Sequence, residues 1–294
     1  MRRMFRLASI IAGLAAPAAA LGQMPTAGPL TVHPVASKVY WAEGAGGNVG
    51  IIVGDKGVIL VDATVSPEGG KRLLAEVAKL TPRPVTTVIL THGDMDHVGG
   101  LAAFPPGTDI IAQENTRKRL ADNAAAGRGA VPVDRLPGHR VAAREAVTID
   151  GVKLELLHWS PAHTDGDLVV YLPTQKVAFT GDIFAIDQPR ALIHLEQRGT
   201  SQGWIQSAKA IAALDADRFV VGHGDVQTKA ALRKRIDQSA AERAEIVKLV
   251  AKGDSLAEIQ AKVGDPPPGP ARTGGGPVFP PFSAVVYQEL TGKK

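Results

Sequence analysis

The 294-residue sequence predicts an α/β fold. Three observations carry that expectation. A continuous, β-branched run at 85–90 reads as a strand buried on both faces. A helix with one apolar face directly precedes it. The second half of the chain then repeats the alternation of strand and helix. Composition agrees: 45% hydrophobic and 21% charged residues describe an ordinary globular chain. This length buries a core without disulfides, and the chain has no cysteine.

In order, residues 1–20 read as a signal peptide. Basic Arg2, Arg3 and Arg6 precede an apolar run at 7–21, and Ala18 and Ala20 offer a small-residue cleavage site. The run is shorter than the ~20 residues of a spanning helix, although an uncleaved anchor is the alternative. The expected location is periplasmic or secreted, with no stable membrane association after cleavage. Loss of those three arginines takes the net charge from +4 to +1, so the pI of 9.3 does not point to an anionic partner. With 4% aromatic residues and no basic stripe, nucleic acid is not an expected partner. The expected partner is a small-molecule substrate, and the oligomeric state is left open.

After a loose segment to about Leu30, strands are expected at 38–41, 49–53 and 58–62. Gly54-Asp55-Lys56-Gly57 makes a hairpin turn between the last two. Ser66-Pro67 opens a helix, with serine as N-cap and proline at the first helical position. Leu73, Leu74, Val77 and Leu80 form its apolar face, and Pro82 and Pro84 end it. In the second half, strands are expected at 147–149 and 152–157 around Asp150-Gly151, then at 168–172, 177–180 and 218–221. Helices are expected at 202–214 and 229–252. A third opens at Ser255, which with Glu258 forms a capping box. The Gly/Pro-rich stretch 265–281 reads as irregular, before a short helix near 284–290.

The run at 85–90 ends directly in Thr91-His92-Gly93-Asp94-Met95-Asp96-His97-Val98-Gly99-Gly100. Four groups able to bind a metal fall within six residues, where a strand leaves its sheet, the usual place for ligand sites in open α/β folds. A solvated turn explains the aspartates and glycines; it explains two bracketing histidines poorly.

This segment resembles the His-x-His-x-Asp-His motif of the metallo-β-lactamase superfamily. Further segments resemble that family in the same order: Ala162-His163-Thr164-Asp165-Gly166-Asp167, Phe179-Thr180-Gly181-Asp182 and Val221-Gly222-His223-Gly224. Gly47-Asn48-Val49-Gly50 and Ile59-Leu60-Val61-Asp62 are also typical of it. The resemblance covers roughly residues 37–227. It implies a four-layer αββα sandwich with the site at one edge between two sheets. The corresponding division is 1–20 signal peptide, 30–264 metallo-β-lactamase-like domain, and 265–294 Pro/Gly-rich segment with a short C-terminal helix.

Carried over residue by residue, the resemblance implies that His92, Asp94 and His163 hold a first metal. Asp96, His97 and His223 hold a second, and Asp182 bridges both. Two divalent ions ~3.5–4 Å apart can share a hydroxide and clamp attacking and leaving oxygens. By the same analogy Asp96 and Asp182 are the catalytic carboxylates, with Asp96 orienting the hydroxide. Asp94 is the departure, since the commonest motif has histidine there. Either it is a genuine oxygen ligand, or it is too short to reach and one metal binds. Two divalent ions are expected, zinc first, with manganese or iron admitted by the carboxylate at 94.

Outside the motifs, His194 lies in a loop where this family often contacts substrate, and it is a candidate substrate-binding residue. His158 reads as structural. His33 and His139 carry no supporting context, and Trp41 and Trp204 read as core.

The functional expectation is a hydrolase acting through a metal-bound hydroxide on a small ester, lactone, thioester or amide, β-lactams included. Asp182 argues mildly against a dedicated β-lactamase, and export argues the other way. One alternative is a persulfide dioxygenase-like oxidoreductase with one iron on His92, His163 and Asp182. The other is a non-catalytic metal-binding protein.

Overall fold

The computed structural model describes residues 29–129, 131–265 and 279–293. The signal-peptide expectation and most of the Gly/Pro-rich stretch lie outside them. Two sheets face each other. The first holds β1 (Thr31–Ala36), β2 (Val39–Glu43), β3 (Val49–Val53), β4 (Val58–Val61), β5 (Val85–Ile89), β6 (Asp109–Gln113) and β7 (His139–Val141), in that spatial order. It is antiparallel to β4 and parallel thereafter. The second has the order β12-β11-β10-β9-β8. Its strands are β8 (Arg144–Ile149), β9 (Val152–Leu157), β10 (Val169–Leu172), β11 (Val177–Phe179) and β12 (Arg218–Val220), antiparallel except for β11 with β12.

Side-chain alternation along a strand divides the interior into three cores, and three cores require four layers. In β4, Val58 and Leu60 point to an outer core with Leu73 and Val77, while Ile59 and Val61 point between the sheets. In β10, Val170 and Leu172 meet that same inter-sheet core, while Val169 and Tyr171 face the other outer core with Trp204, Ile211, Ile236 and Val285. The expected αββα sandwich follows. One outer face carries α1 (Pro67–Leu80) and α3 (Glu114–Ala125). The other carries α4 (Ser201–Ala213), α5 (Lys229–Ala251), α6 (Leu256–Val263) and α7 (Phe282–Thr291). Between them α2 (Met95–Val98) is a single turn inside the metal-like motif.

Local signals act as expected. Ser66 Oγ accepts from Gly69 N at the start of α1, and both halves of the Ser255–Glu258 capping box are present at α6. Gly54 N donates to Gly57 O across the β3–β4 turn. Five of these elements have no counterpart in the sequence reading: β1, α2, β6, α3 and β7. Among the described residues no helix is long and apolar enough to cross a membrane.

Candidate metal centre

All seven predicted ligand-type residues come together at one edge of the sandwich, although they span residues 92 to 223. His92, Asp94, Asp96 and His97 follow β5, and His163 sits between β9 and β10. Asp182 lies in the turn after β11, and His223 in the loop after β12. Each segment leaves a sheet at the same end, which is why distant stretches converge.

The spacing separates two kinds of contact. Two ligands each ~2.0–2.1 Å from a tetrahedral ion stand about 3.3 Å apart, whereas a charged hydrogen bond is about 2.7–2.9 Å. Asp94 Oδ2 is 3.3 Å from His163 Nε2 and 3.7 Å from His92 Nε2. Asp182 Oδ1 is 3.2 Å from His97 Nε2, and its Oδ2 is 3.4 Å from His223 Nε2 and 4.0 Å from His163 Nε2. Asp96 Oδ2 is 3.1 Å from His223 Nε2 and 3.8 Å from His97 Nε2. These are mostly ligand-to-ligand spacings. Three overlapping sets result, each with its donor atoms within 4.8 Å: His92/Asp94/His163, His92/His97/Asp182 and Asp96/His97/His223.

The imidazoles are aimed from behind. His92 Nδ1 donates to Thr91 Oγ1 at 3.0 Å, His97 Nδ1 to Asp62 Oδ2 at 2.8 Å, and His163 Nδ1 to the Leu192 carbonyl at 3.0 Å. Each ring therefore turns its Nε2 into the site, the usual support for metal-binding histidines. His92 Nε2, His97 Nε2 and Asp182 Oδ1 are buried with no hydrogen-bond partner. Orphaned buried polar atoms are costly and rare, and here they share one small space. The donors present fit a pair of divalent cations.

Asp62 does more than close β4. Its φ of +69° is left-handed, a region open to aspartate but uncommon. That turn lets its carboxylate accept from Thr91 N and Thr91 Oγ1, both at 2.7 Å, and from His97. Two glycines are demanded by contact. A Cβ on Gly47 would sit 2.2 Å from the His97 ring, and one on Gly222 only 1.8 Å from Asp182 Oδ1. Asn48 Nδ2 donates to the carbonyls of Val221 and Gly224, which fixes the His223 loop.

The electrostatics are those of buried acids neutralised by imidazoles. Burial opposes ionisation, but His163, His194 and His92 hold Asp94 well below the usual carboxylate range. Burial likewise works against Asp182, and His97 and His223 hold it well below that range. Asp96 is lowered, against its burial, by His97 and His223. Burial would lower the histidines, yet the carboxylates raise them. Asp94 and Asp182 lift His163 to about 9, and Asp182 and Asp96 lift His223 to about 10. His97 is raised well above its ordinary value by Asp96, Asp182 and Asp62.

His194 is buried at the site. Its Nε2 is 2.7 Å from Asp94 Oδ2, and its Nδ1 pairs with Glu196. His158 Nδ1 donates to the Asp167 carbonyl, as a structural histidine does. His33 and His139 pair with Glu43 and Glu145 on strands. Trp41 and Trp204 are core, and Trp204 Nε1 donates to Ile183 O behind the Asp182 turn. Sequence reasoning missed Gln197, Glu196 and Phe279. Gln197 Nε2 donates to Asp94 Oδ1 at 2.8 Å, and the Phe279 ring lies 4.5 Å from that of His194. None of the three stands in a motif. Asp62 stood in a family-like segment, where an acid at a strand end was its only signal.

Residues 42–223 match the sequence profile described as the Metallo-beta-lactamase superfamily. The alpha subunit of a 2,4-dinitroanisole O-demethylase from Nocardioides sp. (strain JS1661) is 32% identical over 198 residues, 66% of this chain and 57% of that protein. A hydroxyacylglutathione hydrolase from Cereibacter sphaeroides is 32% identical over 168 residues, 56% of this chain and 57% of that protein. The solved structure of a stereoselective inverting sec-alkylsulfatase from Pseudomonas sp. superposes with a TM-score of 0.70 at 20% identity, over 91% of this chain and 51% of that one. The chain thus spans little more than half the length of these relatives.

Proposed function

Because the chain belongs to the metallo-β-lactamase superfamily, we propose that it is a metal-dependent hydrolase of a small, uncharged or weakly charged ester, lactone, thioester or amide. The observation that carries this reading is the convergence of orphaned His92 Nε2, His97 Nε2 and Asp182 Oδ1 among seven donors at ligand spacing. His92, Asp94 and His163 would hold one divalent cation and Asp96, His97 and His223 a second, with Asp182 shared. Such cations, when bound, would supply Lewis acidity toward water and the substrate carbonyl.

The protein's own groups would do the rest. Asp96 is the most open of the three carboxylates, its side chain 33% exposed against 10% for Asp94 and 5% for Asp182. It is ionised at neutral pH, and with Oδ2 turned to the cation its other oxygen, Oδ1, would be left to accept a proton from the attacking water. His223, 22% exposed, marks the same open side. Three carboxylates offset most of the charge of two divalent ions, which favours uncharged substrates. Phe279, against His163 and His194, adds apolar surface beside the donors. Zinc is the first candidate, with manganese or iron admitted by the oxygen-rich donors. The N-terminal sequence supports export, to the periplasm or outside the cell, with the mature chain beginning near Leu21.

A hydrolytic screen over lactones, thioesters, β-lactams and phosphodiesters on metal-defined protein tests the proposal. Expected is turnover of a carbonyl substrate that chelation abolishes and a divalent metal restores, with two ions per chain. A single bound iron would favour the dioxygenase-like alternative. Protein that binds no metal, or hydrolyses equally well after chelation, would overturn the reading.

A further inference from the structure

The carboxylate at 94 is short, and something must hold it where a longer imidazole would otherwise stand. The structure shows the holder. Asp94 Oδ1 accepts from Gln197 Nε2 at 2.8 Å, and Oδ2 from His194 Nε2 at 2.7 Å. The second distance is a hydrogen bond, shorter than the 3.3 and 3.7 Å that separate the same oxygen from His163 and His92. Thus His194 makes the shortest of the three histidine contacts to that oxygen.

We infer that His194 and Gln197 are positioning residues that grip both oxygens of Asp94 and make it a competent ligand of the first metal. This inference rests on the two-metal reading above. The grip is built rather than incidental. His194 N donates to His163 O at 2.9 Å, Asp165 N to Gln197 O at 2.9 Å, and Thr200 N to Ala162 O at 3.2 Å. The segment bearing the grip is therefore laced to the segment bearing His163. The Asp165 carboxylate ties the unit further, accepting from Arg119 Nη2 and Arg198 Nε at 2.6 Å each. Phe279 covers the His194 ring at 4.5 Å and the His163 ring at 5.6 Å. On the second site, Asp62 plays the corresponding part for His97.

The consequence is a division of labour specific to an aspartate at 94. An imidazole there would reach the metal from its own backbone and would not need the grip. The experiment is zinc titration of the metal-free full-length chain, with stoichiometry by elemental analysis and affinities by chelator competition. Wild type is expected to bind two ions. The double variant His194→Ala/Gln197→Ala is expected to hold one ion at unchanged affinity and the other 10–100-fold more weakly. In an Asp94→His background, the same two substitutions are expected to change neither affinity more than about threefold. Gln197→Glu, near-isosteric but facing Asp94 with an acceptor, is expected to act in the direction of the double variant, and it decides the matter if the double variant does not fold by circular dichroism. Two ions at wild-type affinity in Gln197→Glu and in the double variant would overturn the inference and leave the two-metal reading intact. So would an equal loss in the Asp94→His background. Wild type that binds fewer than two ions of zinc, and of manganese or iron in its place, would overturn the two-metal reading, and the inference with it.

Discussion

Binding of metal to this site should expel protons, and the number follows from the geometry. In the metal-free protein three buried carboxylates are balanced by imidazolium. His163 is lifted to about 9 and His223 to about 10, and His97 is raised as well. An imidazole with a pKa of about 9 is about 99% protonated at pH 7. A metal ligand must offer a lone pair, so each of the three must lose its proton. Asp94, Asp96 and Asp182 have lowered pKa values, are already ionised, and release none. The expected release is about one proton with the ion on His163 and at least about one, from His223, with the ion on His97 and His223, the raised His97 adding to it. Because the folded-state histidine pKa values are raised, binding is weakest below them and strengthens as pH rises toward 9–10. Each proton contributes about 1.4 kcal/mol, or tenfold, per pH unit. Affinity for the second ion should therefore rise at least about tenfold between pH 7 and pH 8 from His223 alone, with the raised His97 adding in the same direction. Isothermal titration calorimetry of zinc into metal-free protein, repeated in buffers of different ionisation enthalpy, counts the protons directly. Release of fewer than one proton per chain, or affinity flat between pH 7 and pH 8, would refute the reasoning.

Two further outcomes follow from the same contacts. Asp182→Ala removes the carboxylate within 3.2–4.0 Å of three histidines, so both ions should bind at least tenfold more weakly and turnover should be lost; two tightly held ions with retained hydrolysis would dismiss Asp182 as the shared ligand. Gly222→Ala places a Cβ 1.8 Å from Asp182 Oδ1, and overpacking of this kind costs about 1–3 kcal/mol. Its melting temperature and metal content should both fall, while Gly138→Ala, with nothing within 4 Å, should leave both unchanged; equal behaviour of the two variants would show that the Gly222 contact is not needed.

The sequence alone determined those features whose causes are local. β3 and β4 are continuous apolar runs, β5 is a run of β-branched residues, α1 carries its own cap and apolar stripe, and α6 its own capping box. The donor types were legible too, because each clusters at a strand end within a short recognisable segment. What only the tertiary structure decided are features whose causes are partners far away in the chain. β1 is an edge strand with no buried face and a register shift at Pro34–Ala36, so it carries no alternation to read. β6 and β7 take their identity from parallel pairing, β6 with β5 on one side and β7 on the other, and β7 is only three residues long. The support around the metals is equally non-local. Asp62 meets His97 across 35 residues, and His194 and Gln197 reach Asp94 across 100 and 103. A hydrogen-bond partner is chosen by proximity and direction after folding, and neither is written in residue spacing. The sequence therefore supplied the ligand atoms, and the packing of two sheets decided which way each atom points and what holds it there.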